Sequence, residues 1–176
     1  QMDAGRLWVS SLITAITAGE THIGQVGSPM TYVSVTPACD TSAFAAGDVV
    51  FTSTATISGA VRVNSGKSIL QSIVLNDKDD VGAEMDIIFF KNTQSLGTAN
   101  AAASISDANA DDIIGRVTIG ASDYVDLGGT KVATITNIGL VLTAGGANTN
   151  VFFSVVTRGT PTYTASGLVF NFGILL

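Results

Sequence analysis

Charge is what this chain has least of. Only 12% of its 176 residues are Asp, Glu, Lys or Arg, against roughly 25% in an average soluble domain. Hydrophobic residues make up 46%, and the mean hydropathy is +0.44. Between the apolar positions stand mostly Thr, Ser, Ala, Gly and Asn. A surface of that kind protects a free monomer poorly against association. Either the chain meets a membrane, or its surface is covered by copies of itself or by a partner. A spanning helix needs about 18 consecutive apolar residues, and no such window exists. An outer-membrane barrel needs repeated strands of about 10 residues flanked by aromatic girdles; aromatics here are 7% and scattered. Coverage by other chains is the reading that survives. Net charge is −6, pI is near 4.4, and the eight Lys and Arg are dispersed. That balance argues against a nucleic-acid partner, which wants a basic stripe.

Other scarcities narrow the chemistry. Cys39 is the one cysteine, so no intrachain disulfide staples the fold, and it reads as a small buried filler. His22 is the one histidine, which leaves no His/Cys cluster for zinc. Any Ser-His-Asp or Cys-His unit would depend on it, and it lies in the N-terminal stretch, outside the strand scaffold. Nothing singles out two carboxylates as a hydrolytic pair. Ser65-Gly66-Lys67-Ser68 resembles the tail of a phosphate-binding loop, but Val61 stands where a glycine is needed and the run opens a strand. Lys67 therefore reads as a solvated strand-end charge. Asp77, Asp79 and Gly82 match part of a calcium loop, which then fails at Val81 and Ile88. Asp107, Asn109 and Asp111 match a second time and fail at Asp112 and Thr118. Calcium at a subunit junction stays open for both; the plainer reading is a hydrated turn and a capped helix. No catalytic, metal or cofactor residue is assigned.

What the chain does have is β pattern. Residues 68–75 (SILQSIVL) and 84–90 (EMDIIFF) are apolar, β-branched runs around the charged turn Asn76-Asp77-Lys78-Asp79-Asp80, which reads as a long central hairpin. Residues 32–35 form a short strand, and residues 48–58 alternate like a half-buried one. Residues 91–103 read as a polar loop. Residues 104–114 (SISDANADDII) read as a short helix, with Ser106 capping, Asp107 in the first turn and Gly115 ending it. A further strand runs over 116–119, and residues 123–129 form a turn. Three regular strands close the chain at 131–143, 151–158 and 168–176. In the last, Phe170, Phe172 and Ile174 share one face, expected to be core or subunit interface. Residues 158–163 (RGTPTY) shape a turn, with Tyr163 covering the sheet end and its hydroxyl in water. About eight short strands predict an all-β, two-sheet antiparallel sandwich, jelly-roll-like, over residues 31–176.

Residues 1–30 differ from the rest. Leu7, Trp8, Leu12, Ile13 and Ile16 recur near helical spacing among β-branched neighbours, while Gly24, Gly27 and Pro29 interrupt regular structure. The stretch reads as an extended arm that docks on its own domain or inserts into a neighbour, low charge favouring the neighbour. Residues 7–16 are apolar enough for a signal sequence, but only Arg6 precedes them and no cleavage pattern closes them. The start at Gln1 is expected to reflect processing or truncation.

The order GDVV (47–50), SGKSILQSIVLNDKDD, MDIIFF, SISDANADDIIGRVTI and RGTPTYTA resembles small virion proteins of tailed bacteriophages, over residues 48–164. The resemblance implies a capsid decoration (cement) protein on the outer surface of the head, often a homotrimer. It implies the major capsid protein and sister copies as partners, with no nucleic acid and no membrane. Contacts to the capsid would then fall to Leu7, Trp8, Leu12, Ile13 and Ile16 of the arm. A head-fibre or tail component is the alternative within that class. An adhesin or carbohydrate-binding sandwich is the alternative outside it, and would want an exposed aromatic platform that Trp8, outside the sandwich, does not supply.

Overall fold

The computed structural model describes residues 29–176. The arm residues Leu7, Trp8, Leu12, Ile13 and Ile16, and His22, lie outside them. Nine strands build two antiparallel sheets: β1 Met30–Val35, β2 Ala55–Ile57, β3 Lys67–Asp77, β4 Met85–Phe90, β5 Ile113–Ile119, β6 Tyr124–Asp126, β7 Lys131–Thr143, β8 Val151–Thr157 and β9 Leu168–Leu175. One sheet has the order β1-β9-β3-β7-β6, the other β2-β8-β4-β5.

Set the three-residue β6 aside, and the remaining eight strands pair from the outside in. β1 pairs with β9, β2 with β8, β3 with β7, and β4 with β5, all antiparallel. The chain is thus one long hairpin whose successive strand pairs fall alternately in the two sheets, the jelly-roll solution for a double sheet. The all-β sandwich expected from alternation is the fold observed.

The central hairpin is not observed. β3 lies between β7 and β9 in one sheet, and β4 lies between β5 and β8 in the other. The charged turn carries the chain across the sandwich instead of returning it beside itself. Composition marked both runs as strands correctly; which partners they take is a long-range decision. The Asp77 carboxylate organises this crossover, accepting hydrogen bonds from the Asp79 N–H at 3.1 Å and the Gly82 N–H at 2.7 Å.

Three local expectations also change. Only residues 55–57 of the stretch 48–58 form a strand, while Asp48 and Val49 make isolated bridges to Ala102 and Val156. Val49, Val50 and Phe51 are consecutive and all buried, Val49 in one apolar cluster and the other two in another. No strand can bury three neighbours on one face. The helix shrinks to Asp107–Ala110, with the Ser106 Oγ accepting from the Asn109 N–H at 3.3 Å. It buries no residue, and a helix this short has no stability of its own; Ile113 and Ile114 instead begin β5, which runs through Gly115. The turn 123–129 contains the edge strand β6, preceded by a 3-10 turn at Ala121–Asp123.

The core between the sheets is centred on Phe153 of β8. Its ring lies 5.0 Å from Phe172, 5.3 Å from Phe170, 5.8 Å from Phe51 and 6.4 Å from Phe89. Past the end of β7, the Gly145 N–H donates to the Lys91 carbonyl at 2.8 Å, and a Cβ on Gly145 would sit 2.8 Å from that same oxygen. Gly145→Ala is expected to lower stability by about 1–3 kcal/mol in urea unfolding, because backbone blocks the methyl.

Candidate assembly surface

The two sheets have outer faces of opposite character. On the four-stranded sheet, Val49, Phe90, Leu96 and Val156 form a second buried cluster, with Ile88, Ile105 and Phe152 packed against it. The chain lays its own loops over this face. The Val49 N–H donates to the Ala101 carbonyl at 2.9 Å, Asn100 N–H to Val49 at 2.9 Å, and Ala103 N–H to Gly47 at 3.1 Å. This explains why β4 is apolar on both sides, with Ile87 and Phe89 facing one cluster and Ile88 and Phe90 the other.

Asp86 is the exception on that strand. It is buried, and its carboxylate accepts from Thr118 Oγ1 at 2.5 Å, Arg158 Nε at 2.8 Å and Arg116 Nη1 at 3.4 Å. Burial alone would raise its pKa. The hydrogen bonds from Thr118 and Arg158 and the two guanidinium charges outweigh burial and hold it below the ordinary carboxylate value.

The five-stranded sheet is bare outside. Its register aligns Met30, Leu175, Ile69 and Val141 in one row across four strands. The next rows are Tyr32, Gly173, Ser72, Thr136, then Ser34, Asn171, Val74, Thr134, and then Val169, Asn76, Val132, Val125. None of these residues carries a charge. Lys67, paired with Thr143 beyond the first row, stands at the end of the face. Met30 is 68% exposed, Tyr32 65%, Val125 61%, Val141 50% and Ile69 41%. A charge-free sheet face with these five apolar side chains exposed is the candidate contact surface of the described residues.

The sequence-derived candidates fall elsewhere. Phe170, Phe172 and Ile174 point inward and are buried in the core of the sandwich. Tyr163 does not hold its hydroxyl in water: it is 2% exposed, its ring 6.1 Å from Phe44, and its oxygen has no partner among the described residues. The neighbouring Arg158 is occupied with Asp86. Asp77 is buried, and burial pushes its carboxyl above the ordinary value against the pull of the Gly82 and Asp79 N–H groups. Asp79 accepts from the Thr164 N–H at 2.7 Å and its hydroxyl at 2.9 Å, bracing the crossover to the loop before β9. Among the described residues no three His, Cys, Asp or Glu side chains are grouped to hold a metal ion. Ser68 opens a strand and donates its hydroxyl to the Ala60 carbonyl at 2.6 Å, so the Ser65–Ser68 run holds no phosphate-binding helix.

A cleft of about 460 Å³ opens between residues 37–40 and 51–55, lined also by Ala99. Its ionisable groups are Asp40 and Cys39. Burial pushes the Cys39 thiol up to about 11, which keeps it protonated and unreactive at neutral pH. The cleft offers no nucleophile beside a base.

The outer face of the five-stranded sheet is what reading along the sequence missed. Its signal was there in part: MTYVSV (30–35) alternates without a charge on either face, and SILQS (68–72), which is broken by a bulge between Leu70 and Ser72, is also free of charge.

No family model matches this chain, and no curated protein matches it. Among solved structures, one from Desmodium yellow mottle tymovirus is similar at 11% identity and a TM-score of 0.27, covering 88% of this chain and 83% of that one. Likeness at that level bears no weight for either fold or function.

Proposed function

We propose that this chain is a non-enzymatic structural protein of a virus particle: a decoration or cement protein on the outer surface of a tailed-phage head, working as a homotrimer and attached to the major capsid protein through its N-terminal arm. The bare, charge-free outer face of the five-stranded sheet carries the reading. A body that leaves Met30, Tyr32, Ile69, Val125 and Val141 in water is built to work covered. The jelly roll is compatible, being a fold of capsid and lectin domains alike, but a fold does not choose between them. The domain division follows the same reading, with residues 1–30 as arm and 31–176 as body. Arm contacts would come from Leu7, Trp8, Leu12, Ile13 and Ile16. Several arms acting from one rigid trimer would bind together far more tightly than singly.

The deciding experiment is co-purification with virus particles and imaging on them. Removing residues 1–28 is expected to abolish attachment while leaving the far-UV circular dichroism of the β body unchanged. Undiminished attachment would take the arm out of the mechanism, and absence from every particle would end the virion reading.

A further inference from the structure

Four strands stand at the edges of the two sheets, and three of them are guarded. β2 and β6 are three residues long, and β6 ends in Asp126. β5 is longer, but it is bulged at Ile114 and carries Arg116. Leu140 of the other sheet also lies against it, so close that a Cβ on Gly115 would meet the Leu140 Cδ1 at 2.7 Å. Short length, bulges, charges and covering chain are the ordinary means by which a sheet edge avoids pairing with another chain. β1 has none of them. Its six residues, MTYVSV, carry no charge and no proline, and its register with β9 runs unbroken from Met30 to Val35.

The register also fixes which backbone groups are left over. The Leu176 N–H donates to the Pro29 carbonyl at 2.8 Å, and Pro29 stands opposite Leu176, one step beyond the Met30–Leu175 pair. Hydrogen-bonded pairs alternate along an antiparallel ladder, so Thr31, Val33 and Val35 turn their N–H and C=O groups to β9. Met30, Tyr32 and Ser34 turn theirs away, three donors and three acceptors along the open edge. Among the described residues nothing bonds to them, and all three are exposed, Tyr32 at 65%. An extended strand is what such an edge receives. The proline that precedes β1 does not interrupt it, because the N–H it lacks would have faced β9.

We propose that β1 pairs with β1 of a second copy of this chain, antiparallel, about a two-fold axis through Tyr32. The edge complements itself in that arrangement. Tyr32 faces Tyr32, Met30 faces Ser34 and Ser34 faces Met30, which joins all the leftover groups in six backbone hydrogen bonds. The side chains agree: two aromatic rings meet on the outer side, Thr31 meets Val33 on the inner side, and no charge opposes another. The bare face then runs on from one body to the next, over ten strands. This interface is small beside the roughly 800 Å² per partner of a tight complex, so the pairing is reversible and shows on dilution. It goes beyond the function proposed above, since two copies pair through this edge whether they are single chains or members of two trimers.

Residue 32 facing itself makes the test specific. In the full chain, sedimentation should show an even number of copies, falling to half on dilution. Amide exchange should slow at Met30, Tyr32 and Ser34 as copies pair, and quicken at these three positions of β1 alone on dilution. Tyr32→Lys and Tyr32→Glu each set like charges face to face and remove the ring pair, and each should weaken pairing by about 10-fold or more. An equimolar mixture of the two variants should recover it, because opposite charges then meet. Tyr32→Pro removes an edge N–H that β9 does not use; it should also weaken pairing while keeping the circular dichroism of the wild type. The proposal is overturned if the wild type holds an odd number of copies at every concentration up to about 1 mM, if either charged variant pairs as tightly as wild type, or if the mixture pairs no better than its components. Particle attachment is scored separately. Paired copies that never reach a particle end only the function, and attachment by copies that do not pair ends only this contact.

Discussion

Phe153→Ala is expected to lower the unfolding free energy by about 3–5 kcal/mol, a large share of the stability of a domain this size. Phe153 is fully buried and touches aromatic rings from both sheets: Phe89 from its own, Phe170 and Phe172 from the other, and Phe51 from the loop before β2. Three of the four contacts are edge-on, with interplanar angles of 82°, 61° and 66°, an arrangement that adds to simple burial. Removing the ring leaves a cavity between two sheets tied by hydrogen bonds, which cannot collapse far. Urea unfolding followed by circular dichroism measures the loss. Phe153→Leu, which refills most of the volume, should cost markedly less. Equal costs for the two substitutions would show that the site relaxes freely and that the aromatic cluster is not what joins the sheets.

Asp86→Asn should cost about 2–3 kcal/mol at pH 7, since hydrogen bonds to a buried charge are worth more than neutral ones. The full penalty of an orphaned buried ion pair does not apply, because the Arg116 and Arg158 side chains are 62% and 45% exposed and can turn to water. The cost should depend on pH with a definite sign. Asp86 is held below its ordinary pKa, so its stabilisation is present above the unfolded carboxylate value, about 3.9, and is lost as pH falls through the lower folded value. The gap between wild type and Asp86→Asn should therefore be full at pH 7 and close below about pH 4. Asp77 runs the other way. Its raised value means that burying it costs stability at neutral pH, a cost relieved on acidification as pH falls through the raised value. Urea midpoints for both proteins from neutral to acid pH make the measurement. A gap that stays constant over that range would mean the charge on Asp86 does not matter.

Much of the strand pattern was legible residue by residue, because alternation is a local signal. β7, β8 and β9 fall where the closing runs of β-branched and aromatic residues stand, and the inward set Leu168, Phe170, Phe172 and Ile174 is the one spaced two apart. The misreadings share a cause. Val49-Val50-Phe51 looked like part of a strand because the three are apolar, yet they feed two separate clusters on opposite sides of one sheet. Tyr163 looked like a surface cap, and became core when the loop before β9 folded under Phe44. The Asp86 site was half visible as a lone acid in MDIIFF. Its partner Arg158 is 72 positions away, and nothing in the intervening sequence points to it.

The low charge, the alternation and the turn residues were enough by themselves to determine an all-β sandwich whose surface is poorly guarded against other chains. They act within a few residues, since a side chain's face is set by its neighbours along the strand. Only the tertiary structure decided that β3 and β4 part into different sheets, and that Met30, Ile69, Val141 and Leu175 come into one row. It also decided that one outer face is roofed by the chain's own loops while the other is left bare. Pairing and register are settled by contacts between residues from tens to well over a hundred positions apart, whose free energy exists only once the sheets have closed on each other.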